Sequence, residues 1–269
     1  MGRINPSGKK LSLYDFNIHK MEDRWEGWVD YIKRGALLKP DIVLIQDFAD
    51  RRQRELFLET LRKQLGGTWD GRGYAESWHP AVVWRKERFE RARHRAWRGF
   101  GGPGCAADSD GSPAVQVRLF DRLAKRWVTC ASFKTEPKAP PTRPLSNFTK
   151  ANTAMLEPSW SGDLMIMGSD ANESDRTGRG WSSWYSGVNV RLARGAQNLG
   201  YCDPVFEVCD GDPKLLKKHV TREGGNRIDY LLVKRRTGPV TVEQAGTLPA
   251  GDDAGRWSDH LSIHAVVAY

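Results

Sequence analysis

The chain has 269 residues, which is enough for one large domain or two small ones and for a substantial buried core. Its 39% hydrophobic residues, 28% charged residues and eleven tryptophans exclude a disordered chain. Lys and Arg outnumber Asp and Glu by 42 to 33, and the resulting net charge of +9 favours a polyanionic partner, either nucleic acid or an acidic membrane surface.

The first half of the chain predicts strands that alternate with helices. Period-two alternation marks strands, and apolar residues at helical spacing mark helices. The predicted elements are a strand over 11–20 whose alternation ends at Asn17, a helix carrying Trp25 to Ala36, a strand over 41–48, a helix over 51–65 and a strand over 80–85. A Gly-rich stretch, 99–113, is predicted to be a loop.

The second half predicts a hairpin and then further strands. The hairpin pairs 114–121 with 126–133 across a short polar link. The other predicted elements are a helix from Asn147 to Glu157, a strand ending at Asp170, a short helix near 186–196 and strands over 227–234, 239–245 and 260–269. We therefore predict an α/β fold with two packed sheets flanked by helices, in which 1–10 is a flexible N-terminus and 11–269 is a single domain.

Basic residues are concentrated in the stretch 84–100, where they alternate with aromatic residues. The basic members are Arg85, Lys86, Arg88, Arg91, Arg93, Arg95 and Arg98, and the aromatic members are Trp84, Phe89, Trp97 and Phe100. Such a surface suits phosphates and stacked bases. A strand that leads into a solvated basic loop is an equally good interpretation.

The sequence also bears on redox state and localisation. None of the four cysteines has metal-type spacing, and only Cys202 and Cys209 are near enough in sequence to bridge. No apolar run approaches the length of a membrane span, and the first ten residues lack the apolar core of a secretory signal. We expect a cytoplasmic protein, although a mature domain from a longer or secreted precursor, such as a toxin domain, fits equally well.

Polar side chains able to bind a metal or to transfer a proton occur at or near the ends of several predicted strands. They are Asn17, Asp47, Asp170, Asn172, Asp229 and the pair Asp259–His260. Carboxylate and amide oxygens are the ligands that Mg²⁺ prefers. Structural interpretations also exist: Asn17 as a turn residue, Asp47 as a helix cap, Asp170 and Asn172 as a turn, and Asp229 with His260 as a hydrogen-bonded pair.

Five short motifs occur here in the order known from one enzyme superfamily. They are "YDFN", "DIVLIQD", "GSDAN", "RIDY" and "SDH". This order resembles the endonuclease/exonuclease/phosphatase superfamily, which includes pancreatic-type deoxyribonucleases and exonuclease-III-type repair enzymes. The resemblance extends from Asn17 to His260. It implies a four-layer sandwich, in agreement with the strands predicted above.

The resemblance also implies a role for each matched residue. Asp170 and Asn172 would lie beside the scissile phosphate and position a water. Asp47 and Asn17 would hold Mg²⁺, or Mn²⁺, with help from Asp259. His260 would be a general base or a phosphate contact, with its tautomer fixed by Asp229.

Two positions depart from the superfamily pattern. Asp47 stands where Glu is usual, and because its side chain is shorter, the metal is expected to lie closer to that strand or to be bridged by a water. Either arrangement is expected to shift the metal preference towards a cation such as Mn²⁺. Lys134 stands where deoxyribonuclease-like members have a catalytic His. Glu76, in a segment that resembles the Tyr-x-Glu of that subgroup, is predicted to pair with Lys134 and keep it charged.

We predict a metal-dependent phosphodiesterase, a nuclease acting as a monomer on DNA or RNA. The backbone-gripping residues are predicted to be Tyr74, Arg85, Arg88, Arg51 and Arg52. One alternative is a phosphatase or phosphodiesterase for a small or lipid-borne phosphate. The other is a catalytically dead nucleic-acid-binding module, for which the changes at Asp47 and Lys134 argue and the presence of Asp170 and Asn172 argues against.

Overall fold

Two mixed β-sheets form the centre of the molecule in this computed structural model. It describes residues 10–18, 25–35, 39–47, 51–74, 80–98, 113–135, 143–177, 180–193, 198–222, 225–249, 251–252, 255–256 and 258–269, with backbone only at 51, 97–98, 252 and 255–256. The first sheet has six strands, and the second has five. The α/β sandwich predicted from the sequence is confirmed.

In the described ranges, eleven strands form the two sheets, accompanied by two small ribbons and six α-helices. The strands of the two sheets are β1 (Lys10–Asn17), β2 (Ile42–Gln46), β3 (Trp69–Gly73), β4 (Ala81–Arg85), β5 (Phe89–Arg98), β6 (Pro113–Asp121), β7 (Arg126–Lys134), β8 (Leu164–Asp170), β11 (Asp229–Arg235), β12 (Thr241–Thr247) and β15 (Ile263–Ala268). The strand order is β12-β15-β1-β2-β4-β3 in the first sheet and β11-β8-β7-β6-β5 in the second. Two small ribbons pair β9 (Arg176–Thr177) with β10 (Gly180–Trp181) and β13 (Gly251–Asp252) with β14 (Gly255–Arg256). The helices are α1 (Trp25–Arg34), α2 (Arg51–Leu65), α3 (Arg143–Leu156), α4 (Ser183–Val188), α5 (Pro204–Val208) and α6 (Pro213–Leu216), with a 3₁₀ turn at Val190–Leu192.

The apolar core has two layers because the strands are buried on both faces. Between the sheets, Leu13 and Leu44 pack with Cys130 and Ile166. On the outer face of the first sheet, a separate cluster packs side chains of β1 and β2 against the apolar sides of α1 and α2. Its aromatic members include Tyr14, Phe16, Trp25, Trp28 and Phe57. Burial on both faces explains why these strands read as nearly continuous apolar runs.

The inner faces of the sheets change from apolar to polar towards one edge. Along β1, the inward positions run from Leu11 and Leu13 to Asp15 and Asn17, because side chains two apart share a face. The parallel pairs β1–β2 and β7–β8 end at this edge, whereas the antiparallel strands β11 and β15 begin there. Strand direction therefore collects polar residues from distant parts of the chain.

The structure confirms the predicted hairpin and corrects the start of one predicted helix. The hairpin is confirmed as β6–β7, with Ala114 opposite Phe133. The helix predicted from Asn147 begins earlier, at Arg143, and β3 was not predicted.

Cys130, Cys202 and Cys209 are free, so the bridge considered between the last two is not formed. The predicted loop over 99–113 lies outside the described residues except at its last position. No helix in the described ranges is long and apolar enough to cross a membrane.

Candidate active site

Seven polar side chains meet at the polar edge, and we call this group the strand-end site. Its members are Asn17, Asp47, Lys134, Asp170, Asn172, Asp229 and His260. Asp170 and Asp229 are directly opposite each other in the β8–β11 ladder, and Lys134 is opposite Asp170 in the β7–β8 ladder. Six of the seven are the motif residues of the sequence. The seventh, Lys134, stands where deoxyribonuclease-like members of the superfamily have a histidine.

Asp170 is the hydrogen-bonding centre of the strand-end site. Its Oδ1 accepts the backbone N–H of Asn172 at 2.9 Å, and its Oδ2 accepts Nδ2 of Asn17 at 2.9 Å and Nδ2 of Asn172 at 3.1 Å. Asn172 has φ of 50°, a left-handed conformation that Asn adopts more readily than most residues. Its Nδ2 also donates to the carbonyl of Thr135 at 2.7 Å. The turn after β8 is therefore shaped around the Asp170 carboxylate.

Two opposing influences set the protonation of Asp170. Burial and the neighbouring Asp229 carboxylate raise the pKa of Asp170 to about 7, against the lowering effect of Lys134, His260 and the Asn172 N–H. A carboxyl group with a pKa near neutrality exchanges a proton readily at physiological pH. This is a property that a proton acceptor for water requires.

Asp229 and His260 form a buried pair beside Asp170. The Nδ1 atom of His260 lies 2.9 Å from Oδ2 and 3.1 Å from Oδ1 of Asp229. The backbone of His260 donates to Oγ of Ser258, which in turn donates to the carbonyl of Asn17. Burial disfavours the imidazolium, but Asp229 and then Asp170 outweigh it and raise the pKa of His260 to about 9. His260 is therefore charged at neutral pH and is better suited to contact a phosphate than to act as a base.

Lys134 joins the two sheets at this edge. Its Nζ lies 2.5 Å from Oδ2 of Asp47, which follows β2, and 3.3 Å from Oδ2 of Asp170. Burial disfavours the ammonium, but the two carboxylates outweigh it and raise the pKa of Lys134. The predicted partner, Glu76, lies outside the described residues. The described partners of Lys134 are the two aspartates.

The donor set of the strand-end site suits a hard divalent cation. Asp47 and Asn17 offer carboxylate and amide oxygens, and the amide nitrogen of Asn17 is already directed at Asp170. A second grouping, Asp170, Asp229 and His260, has ligand atoms within 4.8 Å of one another. The first set is the one that the superfamily resemblance of the sequence implies.

Three other predicted residues lie at or near the same edge. Asp259 is partly exposed, with Oδ1 3.9 Å from Nε2 of His260. Tyr74 is half-buried and follows β3, whose end pairs with the start of β4 at Ala81, opposite Ile45 of β2. Arg52 is exposed in the first turn of α2. The side chain of Arg51 lies outside the described part of the chain.

Two predicted phosphate contacts are corrected by the structure. Arg88 is only 4% exposed, and its guanidinium bonds Asp41 and Asp121 at 2.7 Å each. Arg85 is 7% exposed and bonds the carbonyl of Pro40 at 3.0 Å. Because β4 runs antiparallel to β2, its last residue, Arg85, and Arg88 in the turn that follows lie at the end of the sandwich opposite the strand-end site. They hold the fold together and do not face a substrate.

Sequence reasoning missed a basic cavity next to the strand-end site. The cavity has a volume of about 480 Å³, and its lining includes Arg176, Lys214 and Lys217. It lies between the chain that leaves Asn172 and the chain that approaches Asp229, since Ser174 and Arg227 also line it. The charged residues of "DPKLLKK" (212–218) were the available signal, but the site motifs did not include them.

Arg227, the first residue of the "RIDY" motif, has a structural role behind this cavity. Its buried guanidinium pairs with Asp203 and lies 3.3 Å from Oδ2 of Asp175. Asp203 also accepts the hydroxyl of Tyr185 at 2.7 Å. The cluster therefore joins the turn after β8 to the start of α5. The motif supplies a scaffold residue as well as Asp229.

Comparisons with known proteins agree with this architecture. No family model matches the sequence, and no curated protein matches it in sequence. Among solved structures, a TDP2 from D. rerio complexed with a single-strand DNA product has a TM-score of 0.68 at 16% identity, over 97% of this chain and 99% of that one. The catalytic domain of human nocturnin has a TM-score of 0.69 at 14% identity, over 96% and 94%. An endonuclease/exonuclease/phosphatase from Bacteroides vulgatus has 0.68 at 15%, over 96% and 98%.

At such low identity these likenesses concern the fold, and they coincide with five sequence motifs in the matching order. The chain therefore has the fold of the endonuclease/exonuclease/phosphatase superfamily, the same superfamily that its motifs resemble.

Proposed function

We propose that this protein is a metal-dependent phosphodiesterase that hydrolyses the backbone of a nucleic acid. The observation that carries the proposal is the convergence at one edge of Asp170, Asn172, Lys134 and the Asp229–His260 pair. Hydrolysis of a phosphodiester needs an oriented water, a proton acceptor and positive charge near the phosphoryl oxygens. These side chains supply all three.

Each residue has a distinct task in the proposed reaction. Asp170, with its pKa of about 7, orients the water and takes its proton as the oxygen attacks phosphorus. Asn172 holds the Asp170 carboxylate in place through its backbone N–H and Nδ2. The imidazolium of His260, held at Nδ1 by Asp229, donates from Nε2 to a phosphoryl oxygen. A divalent cation held by Asp47 and Asn17 would neutralise charge that develops on the phosphate.

Charge supports a nucleic acid as the substrate. The chain has a net charge of +9, and the cavity beside the strand-end site is lined by Arg176, Lys214 and Lys217. Exposed lysines such as Lys214 and Lys217 can hold backbone phosphates on either side of the scissile one without reading sequence. One structurally similar protein, the D. rerio TDP2, was solved with a single-strand DNA product.

Cleavage assays with an Asp170 variant test the proposal. Plasmid, linear DNA and structured RNA are incubated with Mg²⁺, Mn²⁺ or EDTA. We expect wild type to cut at least one substrate with metal only. Asp170→Asn removes the proton acceptor and should lower the rate by about 100-fold or more. Asp210→Asn is the matched control, because it makes the same change at a side chain that is 89% exposed, and it should cut like wild type.

Salt dependence separates this function from the alternatives. Binding to a polyanion should weaken steeply between about 50 and about 200 mM salt, because phosphate contacts release counterions. Hydrolysis of only a small phosphate ester, with little salt dependence, would leave the strand-end site in use and refute the nucleic-acid substrate. Binding of nucleic acid without turnover of any ester would favour the catalytically dead module.

A further inference from the structure

The proposed metal-dependent function does not explain why Lys134 contacts Asp47. Lys134 is the last residue of β7 on the inner face of the sandwich, where its side chain is 18% exposed. Asp47 and Asp170 are still more buried, with side chains 6% and 1% exposed. Lys134 is therefore the most exposed of the three side chains, and the two carboxylates are more deeply buried.

The ammonium occupies the place of a bound cation. It lies 2.5 Å from an oxygen of Asp47 in one sheet and 3.3 Å from an oxygen of Asp170 in the other. Two carboxylates brought together in a low-dielectric setting repel each other strongly unless a cation lies near both. Lys134 supplies that cation from within the chain, so it stabilises the apposition of the two sheets at this edge.

A divalent ion and this ammonium cannot share Asp47 at low cost. Mg²⁺ binds carboxylate oxygens at about 2.1 Å, so an ion on Asp47 would lie close to Nζ of Lys134 and repel it. A lysine has a flexible four-carbon stem that can carry the ammonium away. Because the Lys134 side chain is partly exposed, its ammonium can move towards solvent.

We propose that Lys134 is a tethered counter-cation that a divalent metal must displace from Asp47. The inference rests on the proposed metal-dependent function, and it adds that the metal and the Lys134 ammonium compete for Asp47. Lys134 stabilises the protein when metal is absent and weakens its affinity for metal. Once displaced from Asp47, the ammonium remains attached to β7 beside Asp170, where it can meet a phosphoryl oxygen.

Metal binding measured by calorimetry tests this competition without relying on activity. MnCl₂ is titrated into wild type, Lys134→Gln, Lys134→Arg and Lys234→Gln. We expect Lys134→Gln to bind Mn²⁺ about tenfold more tightly or better, because one positive charge has left the site. Lys134→Arg keeps the charge and should not gain affinity. Lys234→Gln removes another partly buried lysine, one that bonds the carbonyl of Leu199, and should match wild type.

Thermal unfolding provides the second readout. Without metal, Lys134→Gln should melt below wild type, and added Mn²⁺ should raise its midpoint more than that of wild type. If Lys134→Gln folds only with Mn²⁺, the metal has replaced the ammonium and the proposal holds. Failure to fold even with Mn²⁺ would contradict it.

The failure of this inference differs from failure of the proposed function. Metal-dependent cleavage by wild type, combined with equal Mn²⁺ affinity in wild type and Lys134→Gln, would overturn the competition and keep the phosphodiesterase. An absence of Mn²⁺ binding in both proteins, with no cleavage of any substrate, would overturn both.

Discussion

Asp15 and Gln46 lie beneath the strand-end site, on the inner faces of β1 and β2. Nε2 of Gln46 donates to Oδ1 of Asp15 at 2.9 Å and to Oγ of Ser132 at 3.2 Å. Oδ2 of Asp15 and Oε1 of Gln46, both buried, have no hydrogen-bond partner among the residues that the structure describes. One hydrogen between these two acceptor oxygens would give each of them a hydrogen-bond partner. A protonated Asp15 would supply that hydrogen.

Electrostatics favours that proton. Burial raises the pKa of Asp15 well above its ordinary value, and the carboxylates of Asp229 and Asp170 add to the rise, although Gln46 and His260 oppose it. A raised pKa stabilises the folded state at low pH, and this stabilisation is lost as pH increases above the ordinary aspartate range. Asp15 therefore makes the fold less stable as the solution becomes neutral.

Replacing Asp15 by Asn should remove this penalty. The amide of Asp15→Asn accepts from Gln46 through its oxygen and donates to Oε1 of Gln46 through its nitrogen. We expect its free energy of unfolding, relative to wild type, to increase from about pH 5 to about pH 8 in urea titrations. Asp15→Leu, which leaves Gln46 without this partner, should be about 1–3 kcal/mol less stable than Asp15→Asn. Equal stability of the two variants would refute the pairing.

The sequence predicted which residues belong to the site better than it predicted which residues they contact. Asn17, Asp47, Asp170, Asn172, Asp229 and His260 were found from short motifs, and the structure brings them together. Asp15 was missed although it lies two residues before Asn17 on the same face. The contact between Lys134 and Asp47 could not be predicted, because it depends on how two sheets are stacked.

Strand β8 illustrates how one element positions the site. Its inward residues are Leu164, Ile166, Gly168 and Asp170, so the glycine lies directly before Asp170 of the strand-end site on the same face. A Cβ atom at Gly168 would overlap Oδ1 of Asp15 and lie 2.6 Å from Cβ of Leu44. The absence of a side chain at this position leaves the space that Asp15 occupies between the sheets.

Gly168→Ala should therefore destabilise the fold by overpacking. We expect a loss of about 1–3 kcal/mol in the free energy of unfolding, measured in urea, because the sheets must separate locally or Asp15 must move. In Gly180→Ala the added Cβ meets only the carbonyl of Thr177, at 3.9 Å, so that variant is the control and should be nearly neutral. A loss in Gly168→Ala no greater than in Gly180→Ala would show that the two sheets yield easily at this point.

The sequence predicted most elements of the two sheets but not their directions. Alternation and helical spacing located β1, β2, α1 and α2 because their apolar sides face a core. Strand β3 was missed because "WDGRG" (69–73) contains one large apolar residue and two glycines. The mistaken role for Arg85 and Arg88 has the same origin. Local pattern does not reveal which end of the sandwich a strand reaches.

The stability of the whole molecule should depend on pH through a buried histidine that is not a member of the strand-end site. His264 of β15 is buried, with its ring centre 6.0 Å from that of Tyr14. Burial and the nearby His219 lower the pKa of His264 to about 4, against a weaker opposing effect of the Gly246 backbone. The unfolded chain takes up this proton near pH 6.5. Stability present above that pH is therefore lost as pH falls towards 4.

Substitution of His264 isolates this contribution. His264→Phe keeps an aromatic ring but cannot be protonated, so it should lose about 2 kcal/mol less stability than wild type between about pH 7 and about pH 5. Urea unfolding at the two pH values measures the difference. His94→Phe, at an exposed position of β5, is the control. Parallel losses in wild type and His264→Phe would mean that other groups cause the acid sensitivity.

The charges of the strand-end site contrast with those of the molecule as a whole. Three buried aspartates, Asp47, Asp170 and Asp229, lie at this site in a chain whose net charge is +9. The basic residues of the chain attract a polyanion, whereas the carboxylates of this interior repel it and attract a cation. Under the proposed function, a metal that neutralises the interior favours the phosphate, and a bound phosphate favours the metal. Because such coupling is reciprocal, the two ligands should bind cooperatively, each increasing the affinity for the other by the same factor.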